Sequence, residues 1–128
     1  MFTEVTAGIR ISVDVRYEPV LSSPLMDSLI FSYHIRIHNG NDHAVQLLRR
    51  HWFIFDSSSL HREVEGPGVV GEQPVLAPGA EYTYSSACDL RSFRGSMKGF
   101  YTMQAPGQAE YFRVSVPEFL MEVPFCLN

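Results

Sequence analysis

Two stretches of strict alternation limit what this chain can become. Ile9, Ile11, Val13, Val15 and Tyr17 alternate with Arg10, Ser12, Asp14, Arg16 and Glu18. Phe31, Tyr33, Ile35 and Ile37 alternate with Ser32, His34, Arg36 and His38. Side chains on an extended strand point to opposite faces at successive residues, so a period of two means a strand with one buried face. Nowhere do ten or more residues place apolar groups at i, i+3, i+4 and i+7, so no amphipathic helix competes. Pro19 and Pro24 bracket the loop after the first strand, and Asn39-Gly40-Asn41-Asp42 ends the second with residues that tolerate positive φ.

The rest reads as further short strands. Val45 to Phe55 forms a third, with apolar groups on both faces; Trp52 and Ile54 are taken inward, leaving Phe53 and Phe55 outward. Asp56-Ser57-Ser58-Ser59 turns into a short charged strand, Leu60 to Glu65, whose polarity suits a sheet edge. Ala77-Pro78-Gly79-Ala80 is a turn before Tyr82–Cys88. Ala105-Pro106-Gly107-Gln108 links Gly95–Gln104 to Glu110–Val116, and Pro117 and Pro124 restrict the C-terminal segment to edge or extended backbone. Seven or more antiparallel strands with turns at roughly ten-residue intervals predict an all-β sandwich of immunoglobulin or fibronectin type III kind. The 128 residues fit one domain spanning the chain.

Function is bounded mainly by exclusion. A net charge of −4 argues against a nucleic-acid partner, which calls for a basic excess. No run approaches the ~20 apolar residues that span a bilayer as a helix, so membrane insertion is not expected. MFTEVTAGIR has neither a basic start nor an apolar run, so no secretory signal is read and a cytoplasmic location is expected. Cys88 and Cys126 suit buried free thiols in a reducing compartment better than a disulfide framework.

No cofactor or metal site is expected. His34 and His38 share a strand face but stand about 13 Å apart, too far to share one ion. His43, His51 and His61 fall on separate elements. The serines lack the G-x-S-x-G setting of a nucleophile, nothing predicts an activated Cys88, and Glu63 with Glu65 suits a solvated edge. The chain is therefore read as a non-enzyme.

Gly66-Pro67-Gly68-Val69-Val70-Gly71 matches G-x-G-x-x-G. That pattern holds a dinucleotide only between a strand and a helix, and Pro74 opposes a helix here. Two readings stay open. Either the glycines serve φ values other residues cannot reach, or the amides from Gly66 to Gly71, Val69 and Val70 included, form an anion nest assisted by Arg49 or Arg50.

Gln46-Leu47-Leu48-Arg49-Arg50-His51-Trp52, Glu65 to Leu76, Tyr84-Ser85-Ser86 and Met97-Lys98-Gly99-Phe100-Tyr101 together resemble the ApaG family, from Val5 to Pro124. The resemblance implies a fibronectin type III-like sandwich and, for bacterial members, an association with cobalt resistance and magnesium efflux. The same domain is appended in eukaryotes to F-box proteins and a DNA-polymerase-interacting protein, which implies a protein-binding module. No catalytic assignment comes with the resemblance. Two function classes follow: a module binding an unknown protein partner or a second copy of itself, through Phe53, Phe55 and the run Phe119-Leu120-Met121, or a phosphate- or pyrophosphate-binding sensor or enzyme using the glycine loop.

Overall fold

Two antiparallel sheets pack face to face in the computed structural model, which describes residues 1–124. The strands are β1 (Phe2–Thr6), β2 (Ile9–Tyr17), β3 (Leu29–Asn39), β4 (Val45–Asp56), β5 (His61–Pro67), β6 (Val75–Leu76), β7 (Glu81–Leu90), β8 (Arg94–Gln104) and β9 (Phe112–Glu122). One sheet runs β1-β2-β3-β7 and the other β5-β4-β8-β9, with β6 paired to the start of β4. This is the immunoglobulin-like all-β sandwich that the alternation predicts. The helical content among the described residues is one 3-10 turn, Pro24–Met26.

Both alternating stretches bury their apolar parity. Ile9, Ile11, Val13, Ile35 and Ile37 are fully buried. The ambiguous parity of β4 has a local cause: its pairing with β8 slips between Leu47 and Arg49. That bulge at Leu48 inserts one residue, so Val45 and Leu47 face inward before it and Trp52 and Ile54 after it. Trp52 stands at the centre, edge-on to Tyr33, Tyr101 and Phe119.

Several expectations are corrected. β1 was not foreseen, because FTEVT has too little alternation to stand out; it pairs with β2. β9 does not stop at Val116 but runs to Glu122. Pro117 is accommodated because the β8–β9 register slips between Met97 and Gly99, and β9 is a sheet edge. Phe119 and Met121 are core residues rather than a binding surface, and only Leu120 of that run is exposed. Cys88 is a buried free thiol, and the expectation for Cys126 lies outside the described residues.

The two flanks of the sandwich differ. On one, β9 packs against β1 and β2. On the other, the edge strands β5 and β7 leave a seam.

Candidate functional site

The glycine segment sits at the head of that seam. Gly66 pairs with Arg50 across the β4–β5 ladder. A side chain on Gly66 would stand 3.2 Å from both terminal guanidinium nitrogens of Arg50, so glycine there lets the guanidinium lie flat on the strand. Arg50 Nη1 then donates to the carbonyls of Pro67 (3.0 Å) and Gly68 (3.1 Å). Arg49, on the opposite parity of β4, is exposed and does not join this cluster.

Val69 and Glu72 exchange backbone hydrogen bonds of 2.8 and 2.9 Å around Val70 and Gly71. Both central residues have positive φ, 47° and 80°, the signature of a type I′ turn. The Gly68 amide donates to Leu48 O, as does Gln73 Nε2, and Leu47 N donates to Pro74 O. The loop is therefore bonded to the β4 bulge, and the buried Val69 anchors it in the core. These bonds commit the amides of Gly68, Val69 and Glu72, while Arg50 faces the loop's carbonyls. What the geometry shows of the glycines is conformational: Gly68 has φ +63° and its absent Cβ would fall 2.2 Å from Glu72 O.

Below the loop, the seam holds a cavity of about 340 Å³. Its sheet walls are Arg50, Trp52 and Ile54 of β4, Arg62 and Val64 of β5, Tyr33 of β3, Met97 of β8 and residues 84–89 of β7, less Ser85. Val64 has inward parity yet is 40% exposed, because the opposing sheet does not reach over it. Arg62 straps the lower end, pairing with Asp89 Oδ1 at 3.0 Å and reaching the Asp89 carbonyl and Cys88 Sγ. Burial pushes the Cys88 thiol up to about 11, against the pull of Arg62, so it is protonated at neutral pH.

The outer face of the second sheet carries Phe53 and Phe55, as their parity predicts. Phe53 is half-buried because His51 stacks on it at 4.7 Å and on Phe100 at 4.9 Å. His51 is held by Glu63 (2.8 Å) and Glu65 (3.3 Å) of the neighbouring edge strand. Arg113 lies 4.3 Å over the Phe100 ring and Lys98 5.8 Å from that of Phe55. Among the described residues no three of His, Cys, Asp and Glu gather as a metal site, and no helix is long and apolar enough to cross a membrane.

One surface escaped the sequence reading. The β2–β3 loop exposes Val20 at 94%, Leu21 at 66%, Leu25 at 98% and Met26 at 77%. It is nonetheless braced: Ser22 Oγ donates to Glu18 O and accepts from Ile30 N, and the Ser23 and Ser28 backbones bond to each other. The available signal was two apolar pairs, Val20-Leu21 after Pro19 and Leu25-Met26 after Pro24, in a segment with no alternation to bury them.

A sequence model described as the ApaG domain matches residues 19–105. The chain is 42% identical over 124 residues to Protein ApaG of Brucella suis biovar 1, covering 97% of this chain and 95% of that one. It is 41% identical over 128 residues to Protein ApaG of Nitrosomonas europaea, covering 100% of both. A Bordetella pertussis crystal structure described as ApaA superposes with a TM-score of 0.85 at 38% identity, over 95% of each chain.

Proposed function

The chain belongs to the ApaG domain family, and from that premise we propose that it is a non-enzymatic binding module whose partner is a protein. The observation that carries this reading is the β2–β3 loop. Exposed apolar side chains on a mobile segment lose much of their binding energy to ordering, whereas a hydrogen-bonded loop is pre-organised. Leu25 and Met26 contribute nothing to this chain's core, and clustered apolar exposure marks interaction surfaces. Leu60, 44% exposed on the β4–β5 turn, projects from the same end of the sandwich.

Phe53 and Phe55 form a second candidate surface, flanked by Lys98, and a second copy of the chain is an alternative occupant for either face. The association with cobalt resistance and magnesium efflux is then an effect passed through the partner, in the cytoplasm, rather than through an ion held here.

The test is affinity capture from lysate with the intact chain, with Leu25→Ser/Met26→Ser and with Phe53→Ser/Phe55→Ser. Leu25 and Met26 are exposed, so their variant should melt with the parent and lose the captured protein. Capture unchanged in both variants would remove the reading.

A further inference from the structure

We infer that the seam between β5 and β7 is a binding site for a small organic anion, a carboxylate or phosphate group carried on an apolar body about the size of one ring. The inference concerns a different part of the molecule from the β2–β3 loop and stands or falls separately.

Charge is the first argument. The chain carries four more acidic than basic residues, 14 against 10. The cavity inverts that balance: its charged lining residues are Arg50, Arg62 and Asp89, a net of one positive charge. Cys88 adds no negative charge at neutral pH. Arg62 is neutralised by Asp89 at 3.0 Å. Arg50 makes no ion pair among the described residues. Among the described residues only its Nη1 is committed, to two carbonyls, which leaves the remaining guanidinium donors for an anion. A half-buried cation without a counter-ion is costly, and an anion that pairs with it recovers that cost.

Shape is the second argument. A volume near 340 Å³ lies at the small end of ligand cavities, which are mostly apolar with a few placed polar groups. Here Trp52, Val64 and Met97 supply apolar wall beside Arg50. The exposed inner face of Val64 leaves an entrance. The third observation is Val70, a β-branched residue held at φ +47° on the rim of this cavity. Strain of that kind concentrates at ligand clamps and active sites.

Trp52 is the single tryptophan and lines the cavity, so its fluorescence reads occupancy directly. The intact protein is titrated with benzoate, phenyl phosphate, inorganic phosphate and neutral benzamide. The expected result is a saturable change with benzoate or phenyl phosphate, the tighter of the two naming the head group. Arg50→Met should weaken it by roughly tenfold or more, and Arg49→Met should not. Should Arg50→Met fail to fold, Val64→Trp serves instead, because it keeps Arg50 and fills the entrance, and it should abolish the response. The inference is overturned by the absence of saturation at low millimolar probe. Equal binding of benzamide or inorganic phosphate also overturns it, as does binding that survives either Arg50→Met or Val64→Trp.

Discussion

The hydroxyl groups of Tyr84 and Tyr101 meet 2.5 Å apart in the interior, one from each sheet. Tyr101 is fully buried and Tyr84 nearly so. The pair is a polar link between the two sheets, and each hydroxyl satisfies the other.

Removing one partner therefore leaves the other hydroxyl buried without it, whereas removing both leaves apolar surface. Tyr101→Phe should cost about 1–3 kcal/mol, and Tyr84→Phe/Tyr101→Phe clearly less than the sum of the singles. Urea unfolding of the four proteins checks this; additive losses would mean that the hydroxyls do not depend on each other. Burial also holds both hydroxyls protonated above their ordinary range. An unfolded tyrosine ionises near pH ~10, so this contribution is complete below that value and is lost as pH rises through the folded-state values.

Asp56 governs the acid side. Burial works to raise its pKa, but hydrogen bonds from the Ser92 hydroxyl, the Arg91 amide (2.6 Å) and the Ser58 amide and hydroxyl (3.1 and 3.0 Å) outweigh it and hold the carboxyl below its usual range. It ties the β4–β5 turn to the β7–β8 turn. Its stabilisation is fully present above about pH 4 and is lost as pH falls through the lower folded-state value. Asp56→Ala should cost on the order of 1–3 kcal/mol at neutral pH and flatten the acid limb of the stability profile. An unchanged acid limb would place that dependence elsewhere.

How much of this was legible in the sequence depends on where the information sits. β2 appears in the sequence with its actual bounds, Ile9–Tyr17, because one face is buried and the other wet. The Leu48 bulge was not legible: the residue that receives Gly68 N and Gln73 Nε2 is defined by partners about twenty residues away. The same holds for Arg50. Its type and number were readable, but not that Gly66 lies opposite it while Arg49 points away. Val64 read as one apolar residue in a charged edge, and only the spacing of the two sheets shows that it faces a cavity. Leu25 and Met26 were overlooked for a different reason: without a period they carry no structural signal, and their exposure becomes visible only once every buried position is filled by others.

Two loop glycines in positive φ, Gly68 and Gly71, separate conformational need from close approach. Gly68→Ala meets both, with Glu72 O 2.2 Å from the new carbon, and should lose about 2 kcal/mol or more. Gly71→Ala meets nothing within 4 Å and should lose only about 1 kcal/mol from its φ of +80°. Because the neighbouring amides are bonded within the loop, pyrophosphate should leave the parent's melting temperature unchanged, measured without magnesium. A nest binding it at one hundred times the dissociation constant would add about 2.7 kcal/mol, and a shift of that size would reassign the loop to phosphate.

Val70 offers the sharpest test of whether the loop carries strain for a purpose. A type I′ turn wants Asn-Gly at its centre, since asparagine tolerates the left-handed region and a β-branched residue does not. Here the centre is Val70-Gly71 at φ 47° and 80°. Val70 is 62% exposed, so little packing is lost on replacing it. Val70→Asn should stabilise the fold by about 1 kcal/mol, raising the melting temperature by roughly 3–6 °C. Val70→Ala, which stays strained, should gain much less. If the strained valine is kept because its apolar side chain forms the rim of the seam, Val70→Asn should also weaken benzoate or phenyl phosphate binding while it raises stability. A variant that melts at or below the parent would show that the contacts of Val70 outweigh its backbone strain, and the rim would then owe nothing to stored strain.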